Sequence, residues 1–162
     1  MEDKLLMYNI TLIASVDKNF GIGYKNDLLF NIKEDLAHFK QQTLNKSVVM
    51  GRKTWESLPN KPLPNRNNYV ITRTNDKTFL GAKRTTPENV LHQSYHEEMF
   101  IIGGEKIYDL FLPYAKRVLL THVDRYASNV DTYFPDLSHY NWETKVLNEN
   151  ELFKIIEYTR KT

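Results

Sequence analysis

The sequence predicts an α/β fold: a mixed, mostly parallel sheet with flanking helices and an antiparallel C-terminal hairpin. Three observations predict it. Short apolar runs alternate with helical patterns as far as Phe111. From Arg117 onward the pattern is mainly strand. Pro and Gly, six of each, fall singly between these segments, and no linker, repeat or low-complexity tract divides the 162 residues. A single domain over residues 1–162 is therefore expected.

The elements follow in order. Asn9–Ser15 reads as a buried strand. Val16–Asn31 has turn chemistry at Asp17, Asn19, Gly21, Gly23, Asn26 and Asp27 and no clear period, so it reads as a long functional loop. Asn31 and Glu34, three apart, form a capping-box pattern for a helix running to about Thr43. Lys46–Met50 is a strand, Gly51–Leu58 a short helix, Asn68–Thr72 a strand and Phe79–Arg84 a weaker one. Thr86 as N-cap and Pro87 at the first helical position open a helix to about Glu97. Met99–Ile102 is a strand, and Gly103-Gly104 leads into a helix with Ile107, Leu110 and Phe111 on one face. Arg117–Val123, Trp142–Leu147 and Leu152–Thr159 complete the strands.

Composition narrows the function. Hydrophobic residues are 41% and charged residues 26%, ordinary for a folded domain. No apolar run exceeds four residues (Leu5–Tyr8, Met99–Ile102), far short of a membrane-spanning helix. Asn9 and Thr11 interrupt the N-terminal apolar stretch, so a secretory signal is not expected and a cytoplasmic location is. Cysteine is absent, which excludes thiolate metal sites and cysteine nucleophiles. The net charge is only +2, yet Arg52–Arg84 carries +6 and the remainder −4. A local excess of this kind suits an anionic ligand. Aromatic residues do not alternate with the basic ones as a nucleic-acid stacking platform would require, so a small phosphorylated or carboxylated ligand is favoured.

Ligands bind such sheets at the carboxyl ends of the strands. Three constellations belong there. Asp35 lies on the stripe made by Ile32, Leu36 and Phe39, an acid among apolar neighbours. The helix dipole favours its anion, whereas burial favours the neutral acid. A surface aspartate in a first helical turn would read the same way. The second is Met50-Gly51-Arg52-Lys53-Thr54, where glycine permits close approach and amides, side-chain cations and a hydroxyl offer donors to an anion; Thr72-Arg73 ends another strand nearby. The third is Ile102-Gly103-Gly104-Glu105-Lys106, a strand–glycine–helix turn suited to a diphosphate. It matches neither the Walker A pattern nor the usual dinucleotide fingerprint. His92 and His96 lack the third ligand a metal would need, and no metal site is expected.

Taken together, Leu12-Ile13-Ala14, Gly21-Ile22-Gly23, Asp35-Leu36-Ala37-His38-Phe39-Lys40, Val49-Met50-Gly51-Arg52-Lys53-Thr54-Trp55-Glu56-Ser57, Pro62-Leu63-Pro64-Asn65-Arg66, Ile102-Gly103-Gly104, Leu120-Thr121-His122 and Asp131-Thr132-Tyr133-Phe134-Pro135 resemble dihydrofolate reductases of the single-chain bacterial type. The resemblance covers about Ile10 to Tyr158. It implies eight strands with four helices, NADPH as cofactor, and reduction of 7,8-dihydrofolate by hydride transfer to C6 and protonation of N5, feeding one-carbon metabolism. It further implies binding of antifolate-like molecules and a monomer without nucleic-acid or membrane partners.

By the same resemblance, Asp35 holds the pterin ring with Thr121 supporting it. Ile13, Ala14, Leu36, Phe39, Leu58, Leu63 and Ile102 wall the folate slot, and Arg66 meets the glutamate α-carboxylate. Gly51, Arg52, Lys53, Thr54, Thr72 and Arg73 surround the adenosine phosphates. Ile102, Gly103, Gly104, Glu105 and Lys106 form the diphosphate turn, continuing to Ile107 and Tyr108. Ala14, Ile22 and Gly23 meet the nicotinamide, and Val16–Asn31 resembles the mobile lid. Leu29-Phe30 stands where the family usually has Pro-Trp, and a phenyl ring has no N–H donor to hold a water. A reductase of another pterin-like or ribityl-pyrimidine substrate, a nucleotide-binding module without catalysis, and a nucleic-acid binder using the +6 segment are the alternatives.

Overall fold

The computed structural model describes residues 8–73 and 79–161. Asp76 and Lys77 of the basic segment lie outside the described residues. In chain order the elements are β1 (Ile10–Val16), β2 (Gly21–Tyr24), β3 (Asp27–Leu28), α1 (Lys33–Thr43), β4 (Ser47–Gly51), α2 (Arg52–Ser57), β5 (Asn67–Ile71), β6 (Lys83–Thr85), α3 (Pro87–Gln93), β7 (Met99–Ile101), α4 (Glu105–Phe111), β8 (Arg117–Val123), β9 (Thr132–Tyr133), β10 (Trp142–Glu149) and β11 (Phe153–Arg160).

β1 shows how the sheet is built. Side chains alternate between faces, so Ile10, Leu12 and Val16 enter one core and Ile13 the other. A strand buried on both sides can only be central, and β1 pairs in parallel with both β7 and β8. The eight-stranded order is β10-β11-β8-β1-β7-β4-β5-β6. The pairs from β8 to β6 are parallel, while β11 runs antiparallel to β8 and to β10. Val90 of α3 and Tyr108 and Phe111 of α4 fill the core on one face. On the other, Trp55 of α2 and Phe39 of α1 pack with Ile13, Met50, Phe100 and Leu119. The sheet is thus covered on both sides, and its carboxyl edge gathers the ends of β1, β4, β5, β7 and β8.

Several boundaries differ from expectation. The Thr86 cap forms, its hydroxyl accepting from Asn89 N at 3.1 Å, but α3 stops at Gln93 rather than Glu97. The Asn31–Glu34 capping box does not form: Ile32 is the N-cap, without a side-chain cap, and its carbonyl accepts from Leu36 N at 3.0 Å. β6 begins at Lys83; Phe79, expected to lie in that strand, is buried against Trp55 instead. Val16–Asn31 is not featureless. It holds β2 and β3, which join β9 in a small second sheet of order β3-β2-β9. Lys25 and Asn26 both take left-handed φ (49° and 63°) at the hairpin tip, the geometry that fits the twist of a two-residue turn.

Candidate active site

α1 carries an apolar stripe, yet Thr43 is its only buried residue and Leu36 is 45% exposed. The stripe expected to face the core is only partly covered instead. Asp35 sits there half-buried. Its Oδ1 accepts from Thr121 Oγ1 of β8 at 2.6 Å. Burial pushes the carboxyl above the usual carboxylate range, against the pull of the Thr121 hydroxyl, the nearby His38 and the Ser15 hydroxyl. Ile13, Met50 and Phe100 form the buried cluster beneath this surface, and the partly buried Phe39, Leu58, Leu63 and Ile102 pack against it. A flat heterocycle fits such a surface, with one ionisable group to orient it.

The far end of this surface is built around Arg66. Its Nε donates to the Pro64 carbonyl at 2.9 Å and its Nη1 to Thr43 Oγ1 at 3.0 Å. The guanidinium also lies 5.9 Å from the centroid of the Phe39 ring. Asn68 staples the loop that presents it: Oδ1 accepts from Leu63 N at 2.9 Å, and Nδ2 donates to the carbonyls of Leu63 and Arg66 at 2.9 and 3.0 Å. Held in this way, the guanidinium has a fixed position.

The two glycine turns meet. Gly51 N, at the end of β4, donates to Gly103 O, after β7, at 2.9 Å. A Cβ on Gly51 would come within 3.1 Å of Ile107 Cγ1, and one on Gly103 or Gly104 within 3.5 Å of Thr54 Oγ1. Gly103 also adopts φ +125°, which L side chains rarely take. These bare backbones, with the Thr54 hydroxyl, Lys53 and Arg73 close by on the carboxyl edge, form a donor-rich cradle with the chemistry a dinucleotide diphosphate requires. Arg52 is paired with Glu56 at 2.9 Å. Tyr108 is buried and donates its hydroxyl to the Ile13 carbonyl at 2.8 Å, so it braces α4 against β1; burial pushes its phenol well above the usual range. Among the described residues no His, Asp or Glu cluster could hold a metal.

The β2–β3 hairpin is tied to α2, beside the Gly51 turn, and to the chain around Asp131. Asn26 Nδ2 donates to the Lys53 carbonyl at 2.9 Å. Asp131 Oδ2 accepts from Lys25 N at 2.9 Å, and Asp131 N donates to the Gly23 carbonyl at 3.0 Å. Asp17, only 2% exposed, accepts from Asn19, Gly21 and Ala127 amides. Phe30 packs with Val123, Phe153 and Ile155. The sequence did not point to Asn68, Thr43, Ser15, His38 or Asp17 as organisers of the site. The Asn68 and Asp17 side chains are legible as turn formers, but the surroundings of Ser15 are set by sheet register and those of Thr43 and His38 by the docking of α1.

A carboxyl-lined slot for a heterocycle opening beside a glycine-walled nucleotide cradle, on one edge of a parallel sheet, defines a nucleotide-dependent reductase. The dihydrofolate reductase family model matches residues 9–158. The chain is 42% identical to the dihydrofolate reductase of Buchnera aphidicola subsp. Acyrthosiphon pisum over 93% of its own length and 94% of that protein's. It is 38% identical to that of Neisseria gonorrhoeae, covering 96% and 100% of the two chains. The solved structure of dihydrofolate reductase from Enterococcus faecalis, complexed with NADP(H) and RAB-propyl, matches with a TM-score of 0.84 at 26% identity, covering 96% of this chain and 98% of that one. The chain belongs to the dihydrofolate reductase family. It reduces dihydrofolate to tetrahydrofolate with NADPH.

Proposed function

We propose that Asp35 is the group that orients and polarises the substrate in this reaction. NADPH, when bound, supplies the hydride. The cradle of Gly51, Thr54, Gly103 and Gly104 would hold it, with Lys53, Arg73 and Thr72 toward its phosphates and Ala14, Ile22 and Gly23 toward its nicotinamide. The Asp35 carboxylate accepts hydrogen bonds from the pterin amidine and thereby raises the basicity of N5. Thr121 fixes the carboxyl by its 2.6 Å bond. The slot walls would keep the pterin ring stacked face to face against the nicotinamide and exclude water, and the lid would close over both. Water is the proton donor to N5. Arg66 binds the glutamate α-carboxylate.

The half-buried carboxyl in an apolar cleft is the observation that carries these roles. Loss of 340 nm absorbance on mixing the protein, NADPH and dihydrofolate tests the activity, and its retention in Asp35→Asn at pH 7 would refute the role of Asp35. We further take residues 1–162 as one domain acting as a cytoplasmic monomer, which cell fractionation and light scattering measure directly. No helix among the described residues is long and apolar enough to cross a membrane.

A further inference from the structure

Among the described residues, three buried side-chain polar atoms lack a hydrogen-bond partner: Ser15 Oγ, His38 Nε2 and Arg160 Nε. Two of the three flank Asp35. Ser15 pairs with Thr121 in the parallel register of β1 and β8, so both hydroxyls project from the same face of the sheet, toward α1. His38 lies three residues after Asp35 on α1, hence on the same face of that helix. Leaving a buried donor or acceptor unpaired is costly, and two such atoms beside one carboxyl point to a shared task.

We infer that Ser15 and His38 are positioning residues for the Asp35 carboxyl, a polar pocket behind it that stabilises its ionised form. This extends the proposed role of Asp35 and rests on it. The Ser15 hydroxyl is a neutral donor on the same sheet face as Thr121, with no competing partner to hold it away from the carboxyl. The His38 imidazole acts when it carries a proton. Both pull the Asp35 carboxyl down against the burial that raises it. The charged surroundings of His38 are Asp35 on its own helix and Arg117 on β8; burial and Arg117 lower its pKa, and Asp35 raises it. Arg117 is clamped by Glu98 at 2.7 Å and by Glu157 of β11 at 3.0 Å, and Lys46 lies 3.4 Å from Glu98. Arg117 still opposes Asp35 at His38, and Asp35 is the anion that favours the protonated ring. The sheet thus supplies one fixed donor through β1 and the helix one titratable donor.

The experiment follows the carboxyl itself. Aspartate labelled with 13C at Cγ is titrated by NMR in the full chain saturated with NADP+, with the Asp35 signal assigned by its loss in Asp35→Asn. In Ser15→Ala and His38→Leu the Asp35 midpoint should rise by half a pH unit or more, about threefold in the ratio of protonated to ionised carboxyl. His38→Gln, which keeps a donor without a charge, should fall between. Coupling is reciprocal, so the His38 ring midpoint should drop in Asp35→Asn. The acid limb of the hydride-transfer rate should move up with the carboxyl midpoint in each variant, which a merely structural role would not produce. An Asp35 midpoint unchanged in both Ser15→Ala and His38→Leu, or a His38 midpoint indifferent to Asp35→Asn, overturns the inference. Wild-type turnover in Asp35→Asn at pH 7 would instead overturn the role of Asp35 itself.

Discussion

Thr121 Oγ1 and Asp35 Oδ1 lie 2.6 Å apart although 86 positions separate them in the chain. The bond ties the first turn of α1 to the middle of the sheet and gives the carboxyl one fixed orientation. Asp35→Asn keeps an oxygen that can accept this bond but removes the charge. Turnover at pH 7 should fall on the order of 10²-fold or more, with NADPH affinity unchanged. Part of the rate should return in acid, where the substrate is protonated beforehand. Single-turnover rates from pH 5 to 9 measure both effects.

The same substitution should make the protein more stable. The folded-state pKa of Asp35 is raised by burial above its ordinary value of 3.8. A group shifted this way binds its proton more tightly in the native state, so its ionisation at neutral pH penalises folding. Below the ordinary carboxylate range both states hold the proton and the penalty vanishes. Asp35→Asn should therefore melt higher than wild type at pH 7, and the difference should close as pH falls from the raised native value through the ordinary one. Thermal melts across that window check the sign; a lower melting temperature at pH 7 would count against a desolvated carboxyl.

Much of this architecture is legible in sequence, for a physical reason. β1, β4, β7 and β8 are apolar runs because helices cover both faces of the sheet, and the two glycine turns announce themselves by composition. The lid hairpin is different. β2 and β3 are four and two residues long, and β2 is held by β9, more than 100 positions away, so no local period records it. α1 misleads in the opposite way: Leu36 looks like a core residue but is 45% exposed, because an exposed apolar wall uses the same side chains as a core. Nothing local to Ser15 or His38 reveals that register and helical spacing bring them to one carboxyl.

Arg66 is braced by Pro64 O and Thr43 Oγ1, and loss of a charged hydrogen bond costs about 1.5–3 kcal/mol. Arg66→Leu should raise KM for dihydrofolate by about 10- to 100-fold while kcat changes little. A pterin substrate lacking the glutamate tail should be indifferent to the change. Steady-state kinetics on the two substrates separate carboxylate recognition from general damage to the slot.

Gly51→Ala probes the cradle. The new Cβ would stand 3.1 Å from Ile107 Cγ1, so the Ile107 side chain must give by a few tenths of an ångström, and overpacking of this kind costs roughly 1–3 kcal/mol. NADPH affinity should weaken several-fold, with dihydrofolate binding to the free protein spared. Fluorescence titrations with each ligand decide between this and an evenly distributed loss.

Asp131 anchors the proposed lid. Its Oδ2 receives Lys25 N at 2.9 Å and its own amide reaches Gly23 O at 3.0 Å, so one residue holds both β2 and the tip of the β2–β3 hairpin. Asp131→Ala removes only the carboxylate bond and leaves the backbone bond in place. Lys25 N then loses a charge-assisted partner in an exposed turn, where water replaces it at modest cost. The open lid therefore becomes more populated without unfolding the domain. Amide exchange should quicken across Gly21–Asp27 and stay unchanged in β1 and β8. The hydride-transfer rate should fall several-fold, while the melting temperature stays within about 2 °C of wild type. Equal exchange rates in variant and wild type would show that the lid is held by Asp17 and Asn26 instead.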